Sequence, residues 1–140
     1  MERFEILDIS GDAGIRAFGN DVPELFINAA RGMYSLMTDL KDVQKKRSLG
    51  ISAKGSSLEG LLVSFLNELI FQFDTYGFIG KTITITGMDT DNCSVIASLS
   101  GEEFDPERHQ GKLLIKAATY HRLKVQNIGA LWEAEIIFDI

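Results

Sequence analysis

The sequence predicts an α+β fold in a single domain, with two amphipathic helices packed in two layers on a mostly antiparallel sheet. Three observations carry this. Two stretches repeat apolar residues at helical steps of three and four, and the half of the chain after them switches to a step of two. The length of 140 residues, with no break in composition, suits one domain. Such a chain hides about two-thirds of its unfolded surface, enough to fold without staples.

The elements follow in order. Residues 3–9 (RFEILDI) are apolar and β-prone, and Gly11, Asp12 and Gly14 interrupt them before a short extended piece, Ile15 to Phe18. Asp21 and Glu24 have the spacing of a capping box, and Pro23 is tolerated in a first turn. Leu25, Phe26, Ala29, Ala30, Met33 and Met37 then share one helical stripe. Val43 to Lys54 reads as an edge strand, because its basic first half would discourage unwanted pairing. Ser56 and Glu59 suggest a second capping box. The broad apolar face from Leu58 to Phe73 follows it, with Gly77 as the exit. Lys81 to Thr86 and Cys93 to Ser100 read as a hairpin turned at Asp89-Thr90-Asp91-Asn92. Glu102 to Gln110 is a polar loop. Leu113 to Ala118, Tyr120 to Val125 and Leu131 to Ile140 read as strands, the last two joined by a turn at Asn127-Ile128-Gly129. In the final strand Trp132, Ala134, Ile136, Phe138 and Ile140 face one way, opposite Glu133, Glu135, Ile137 and Asp139.

Composition excludes several classes of protein. With 45% hydrophobic and 24% charged residues the chain is neither disordered nor membrane-like. Its longest apolar stretch, Leu61 to Phe73, is broken by Ser64, Asn67, Glu68 and Gln72, whereas a membrane span needs about 20 largely apolar residues. The opening MERFEILDISGD lacks the apolar segment of a secretory signal, and the lone Cys93 cannot form an internal disulfide, so a reducing cytoplasm is expected. Fourteen basic against twenty acidic residues give a net charge of −6. That balance disfavours direct grip on nucleic acid and suits a cation or a basic partner. The nearest basic features are Lys45-Lys46-Arg47 and the spread of Lys112, Lys116, Arg122 and Lys124.

No Gly-rich phosphate loop, GxSxG elbow, HExxH or paired CxxC is present. Two histidines, His109 and His121, are too few for a histidine-rich metal site, and Cys93 beside Val95 and Ala97 reads as a buried structural thiol. Two features remain. Asp8 and Asp12 flank a turn at a strand end, where they either bond their own turn's amides or offer ligands. The chain also stops while its last strand pattern is still running, which sets a terminal carboxylate on Ile140 next to Asp139. This is either an ordered strand with solvated carboxylates or, with a third oxygen from another strand end, a small all-oxygen site for a hard cation.

Long blocks in register resemble the archease family. LDISGDAGIRAFG matches its LDHTADxGIxAxG pattern, PELFINAARGMYSLMTD its ELFxNAAxAMFxxMTD helix, and LLVSFLNELIFQFDT its LLxxWLNELLYxxDT helix. GE, His109, KAATYHRL and the closing FDI follow in family order. The resemblance implies a non-enzymatic cofactor of the RtcB-type RNA ligase, which joins RNA 3′-phosphate or 2′,3′-cyclic phosphate ends to 5′-hydroxyl ends. It implies promotion of ligase guanylylation and of multiple turnover in tRNA splicing or RNA repair, with RNA met through the ligase. It also implies a divalent ion, calcium first with magnesium or manganese as alternatives, held by Asp12, Asp139 and Ile140. Asp8, Lys116 and His121 are then candidates for the surroundings or the partner contact. The family's histidine after the first Asp is Ile9 here, and its helix Trp is Phe65. Two other functions compete: a metal-dependent hydrolase using Asp12 and Asp139, for which Ile9 leaves no imidazole, and a general chaperone or interaction module.

Overall fold

The computed structural model describes residues 3–140. In chain order the elements are β1 (Phe4–Ile9), β2 (Asp12–Gly19), α1 (Val22–Met37), a single 3-10 turn (Leu40–Asp42), β3 (Arg47–Lys54), α2 (Leu58–Tyr76), β4 (Phe78–Asp89), β5 (Ser94–Glu103), β6 (Ala117–Ala118), β7 (Lys124–Ile128) and β8 (Leu131–Asp139). The expected α+β class is what forms, and every strand pairing is antiparallel.

The strands divide between two sheets. In the five-stranded sheet β2 and β8 are the centre, β1 covers the outer edge of β2, and both β6 and β7 pair with the far side of β8. The smaller sheet runs β3-β5-β4 and leaves β3 on an edge, as its charged start predicts. Both helices bridge the sheets: α1 packs on β2 and reaches β4, and α2 packs on β3 and β4 and reaches β6. The core between them includes Ile15, Phe26, Met33, Phe65, Leu69, Leu99 and Ile136, all fully buried.

Local chemistry explains the ends of the helices. Asp21 caps α1 by accepting the Glu24 N–H at 2.9 Å, and Glu24 reaches back to the Asn20 N–H at 3.1 Å. Its last carbonyls, Leu36 and Met37, accept the N–H groups of Leu113 and Lys112 at 3.0 Å each. The cap of α2 is Ser57, whose hydroxyl accepts the Gly60 N–H at 3.0 Å, one residue after the expected Ser56. Gly77, at φ 70°, closes α2 in the left-handed conformation that favours glycine.

Four strand expectations change. Leu113 to Ala118 contains only the two-residue β6, because residues 112 and 113 give their N–H groups to α1. Residues 120–123 form a turn, so β7 begins at Lys124 and continues through Ile128, and the following turn is Gly129-Ala130. Ile140 lies beyond β8 and is 43% exposed, off the apolar face its parity predicted. Cys93 sits half-buried in the β4–β5 turn at φ 51°, ahead of β5, rather than in a strand.

Candidate functional site

The β1–β2 hairpin turns on Ser10 and Gly11 alone, with Ile9 paired to Asp12 and Gly11 at φ 79°. Neither Asp8 nor Asp12 accepts a backbone hydrogen bond through its side chain among the described residues, so the turn-bonding alternative does not form. The β2–β8 ladder ends on Ala13 opposite Phe138, and one further step of that register sets Asp12 across from Asp139. On the far side Asp139 pairs with Ala117. Ile9, Asp12, Asp139 and Ala117 thus form one row across four strands, and residues directly opposite share a face.

Both carboxylates are exposed. Among the described residues neither lies within 4.0 Å of a basic group, whereas Arg16, four residues along β2, is ion-paired to Glu5, Glu133 and Glu135. Two like charges on neighbouring strands repel, and a hard cation between them removes that cost. Ile140 follows Asp139 directly and can add a main-chain oxygen. Among the described residues no three His, Cys, Asp or Glu side chains gather in a way that could hold a metal. A cation here would therefore meet two side-chain carboxylates and whatever main-chain oxygen lies beside them. Such donors are all oxygen, a chemistry that suits calcium or magnesium better than zinc.

The other candidates fall around this row. Asp8 pairs with Ala13, one position out of step with Asp12. Lys116 donates its backbone N–H to the Asp139 carbonyl at 2.8 Å, while its side chain is exposed. His121 is exposed in the turn before β7, its N–H donating to the Thr119 hydroxyl at 3.2 Å. A shallow groove adjoins the row on the same sheet, lined by Asp8 together with Leu7, Ile9, Ile137, Arg16, Arg122 and Glu135.

Two polar residues escaped the sequence reading. Glu102, 3% exposed, accepts from the Arg108 guanidinium, from the Gln44 N–H at 2.6 Å and from His109 Nε2 at 3.0 Å. The Arg108 hydrogen bonds hold its carboxyl well below the ordinary range, at about 2, against the opposing effect of burial. Asn67, inside α2, brackets Ala118 with hydrogen bonds at 2.8 and 3.4 Å. The signals were a carboxylate at a strand end followed by Arg and His, and an Asn within a run of leucines.

Comparison with known proteins bears on the family and the fold. The model of the archease protein family matches residues 4–140. The protein archease of Aeropyrum pernix is 34% identical over 133 residues, covering 94% of this chain and 92% of that one. That of Sulfurisphaera tokodaii is 31% identical over 140 residues, with both chains fully covered. A Methanobacterium thermoautotrophicum protein solved in solution superposes with a TM-score of 0.79 at 31% identity over the whole of both chains. A Thermotoga maritima crystal structure, described as an archease and possible chaperone, gives a TM-score of 0.68 at 16% identity, covering 96% of this chain and 94% of that one, and so speaks for the fold alone. With the family's model running from β1 to the last residue, this chain belongs to the archease family.

Proposed function

We propose that this protein is a non-enzymatic activator of an RtcB-type RNA ligase, acting through a divalent cation at the shared end of β2 and β8. The observation that carries the reading is the β2–β8 register, which carried one step past its last pair brings Asp12 across from Asp139, both exposed and neither neutralised by a basic group among the described residues. Asp12, Asp139 and a main-chain oxygen of Ile140 would hold the ion, with calcium favoured and magnesium or manganese as alternatives. When bound, the ion supplies a focus of positive charge for anionic groups on an otherwise acidic surface.

The residues themselves argue for an accessory role. Ile9 occupies the row position beside Asp12, so no imidazole stands there to move a proton. Lys116 holds the Asp139 main chain, and the exposed His121 and the groove beside the row are available to a partner. The basic cluster at 45–47 offers little to RNA directly, because Lys46 lies 3.7 Å from Glu102 and the Arg47 guanidinium sits 5.7 Å from the Phe78 ring. RNA is therefore met through the ligase. No described helix is long and apolar enough to cross a membrane.

The test is ligation by the cognate ligase with GTP and divalent metal, counted as joined RNA per ligase molecule. Wild-type protein should lift the count well past one, and Asp12→Ala and Asp139→Ala should not. Absence of any stimulation by the wild type would sink the proposal. Hydrolysis of RNA or nucleotide by the protein alone would instead favour a hydrolase.

A further inference from the structure

An asparagine inside a helix calls for a reason, since it is a weak helix former. Asn67 stands beside Leu66 and two residues before Leu69, both fully buried. Its carboxamide turns toward the chain segment that lies along α2. Oδ1 accepts the Ala118 N–H at 2.8 Å and Nδ2 donates to the Ala118 carbonyl at 3.4 Å. Ala118 is 5% exposed, so its polar backbone groups have little water to turn to and would be costly to leave unpaired.

The segment so bracketed is β6, only two residues long against the three to ten usual for a strand. Short as it is, it holds the end of β8. Ala117 pairs with Asp139, the Lys116 N–H bonds to the Asp139 carbonyl at 2.8 Å, and the Thr119 N–H and hydroxyl both reach the Ile137 carbonyl, at 3.0 and 2.8 Å. On the other side of β8 the ladder to β2 has already ended, at Ala13 opposite Phe138. At the last rung, then, Asp139 is held through β6, and β6 is held from behind by Asn67. Repulsion between Asp12 and Asp139 pushes that rung apart.

We infer that Asn67 is a positioning residue for the cation centre: by fixing β6 it fixes the main chain of Asp139, and so the spacing of the Asp12 and Asp139 carboxylates. The inference rests on the centre proposed above. It places a determinant of cation affinity on a helix that supplies no ligand.

The experiment is calorimetric titration of the full chain with Ca²⁺ at 25 °C, with amide hydrogen exchange on the same samples. Asn67→Leu keeps the volume and removes both hydrogen bonds, and Asn67→Ala serves if the larger side chain does not fold. Ile83→Val, in the other sheet, is the control for a general loss of stability. Partners that orient metal ligands typically contribute 10- to 100-fold in affinity. The Asn67 variants should therefore bind Ca²⁺ about 10-fold more weakly. The Lys116 and Thr119 amides should exchange about 10-fold faster, while those of Ile15 and Ile136 are unchanged. Ile83→Val should leave the affinity within about two-fold. Unchanged Ca²⁺ affinity in a folded Asn67 variant overturns the positioning role and leaves the centre standing. An equal loss in the control also overturns it, as a mere stability effect. A wild type that binds no Ca²⁺ overturns the centre, and the role with it.

Discussion

Changing Glu102 to glutamine should lower stability at pH 7 by about 3 kcal/mol, within the range for breaking a buried ion pair. The side chain is 3% exposed, and its two oxygens take hydrogen bonds from Arg108, Gln44 and His109. Glutamine replaces one of those acceptors with a donor that faces Arg108. His109 adds a constraint: its Nδ1 accepts the Asp105 N–H at 2.8 Å, which assigns the remaining proton to Nε2, pointing at Glu102. The pH dependence has the same origin. With its carboxyl held at about 2 rather than 4.5, Glu102 contributes stability that is full above 4.5 and is lost as the pH falls toward 2. That shift corresponds to about 3 kcal/mol. Urea melts of wild type and Glu102→Gln at pH 7, 5 and 3 would read it. The gap should be widest at pH 7, little changed at pH 5 and clearly smaller at pH 3. A gap under about 0.5 kcal/mol at pH 7, or one that stays constant down to pH 3, would refute the reasoning.

Three further outcomes follow from the same geometry. Ca²⁺ at about 100 times its dissociation constant should add about 2.7 kcal/mol to wild-type stability and nothing to Asp12→Ala or Asp139→Ala, read as a rise in melting temperature reversed by a chelator. Ser57→Ala should cost about 1 kcal/mol in urea melts and Ser56→Ala close to nothing, because only the Ser57 hydroxyl accepts a helix N–H. Gly101→Ala should cost about 4 kcal/mol or prevent folding, since an added Cβ would press on the Ile79 carbonyl and the Gly80 Cα in the paired strand β4. Recovery of Gly101→Ala with wild-type stability would show that β4 and β5 can separate there.

Both helices were legible because their apolar faces are long and their caps are local. Ser56 and Ser57 could be confused because a Ser-x-x-Glu spacing points to the first, whereas the bond that forms runs from Ser57 to a glycine amide and needs no carboxylate. Strand alternation says which face a residue takes but not which strand it joins, so one expected sheet became two. Residues 113–125 alternate like a strand, yet the Leu113 N–H goes to α1, both Ala118 backbone groups go to Asn67, and only 117–118 and 124–125 pair with β8. Tertiary partners decided there, and no local pattern shows them. At the site, Asp12 and Asp139 stood out singly, at opposite ends of the chain. That they face one another is a matter of β2–β8 register, fixed by burying Ala13, Ile15 and Ala17 against Phe138, Ile136 and Ala134.

That register bears on how a cation would be used. Ile15, Ala17, Ala134, Ile136 and Phe138 are all fully buried, so β2 and β8 cannot slide to relieve the carboxylates at their end. In water the repulsion amounts to about 1 kcal/mol for charges ~4 Å apart, too little to threaten the fold. It still makes the pair a better cation site than two independent aspartates. Calcium takes about six to eight oxygens. On the proposed reading, Asp12, Asp139 and Ile140 supply only part of that set, and the row is exposed to solvent. The rest would be left to water in the free protein, and phosphate or carboxylate oxygens of a ligase–RNA complex could replace it. Affinity for Ca²⁺ should then be higher in the presence of the ligase than without it, and by linkage Ca²⁺ should tighten the ligase contact by the same factor. Equal ligase affinity with and without Ca²⁺ would show that the ion does not bridge the two proteins.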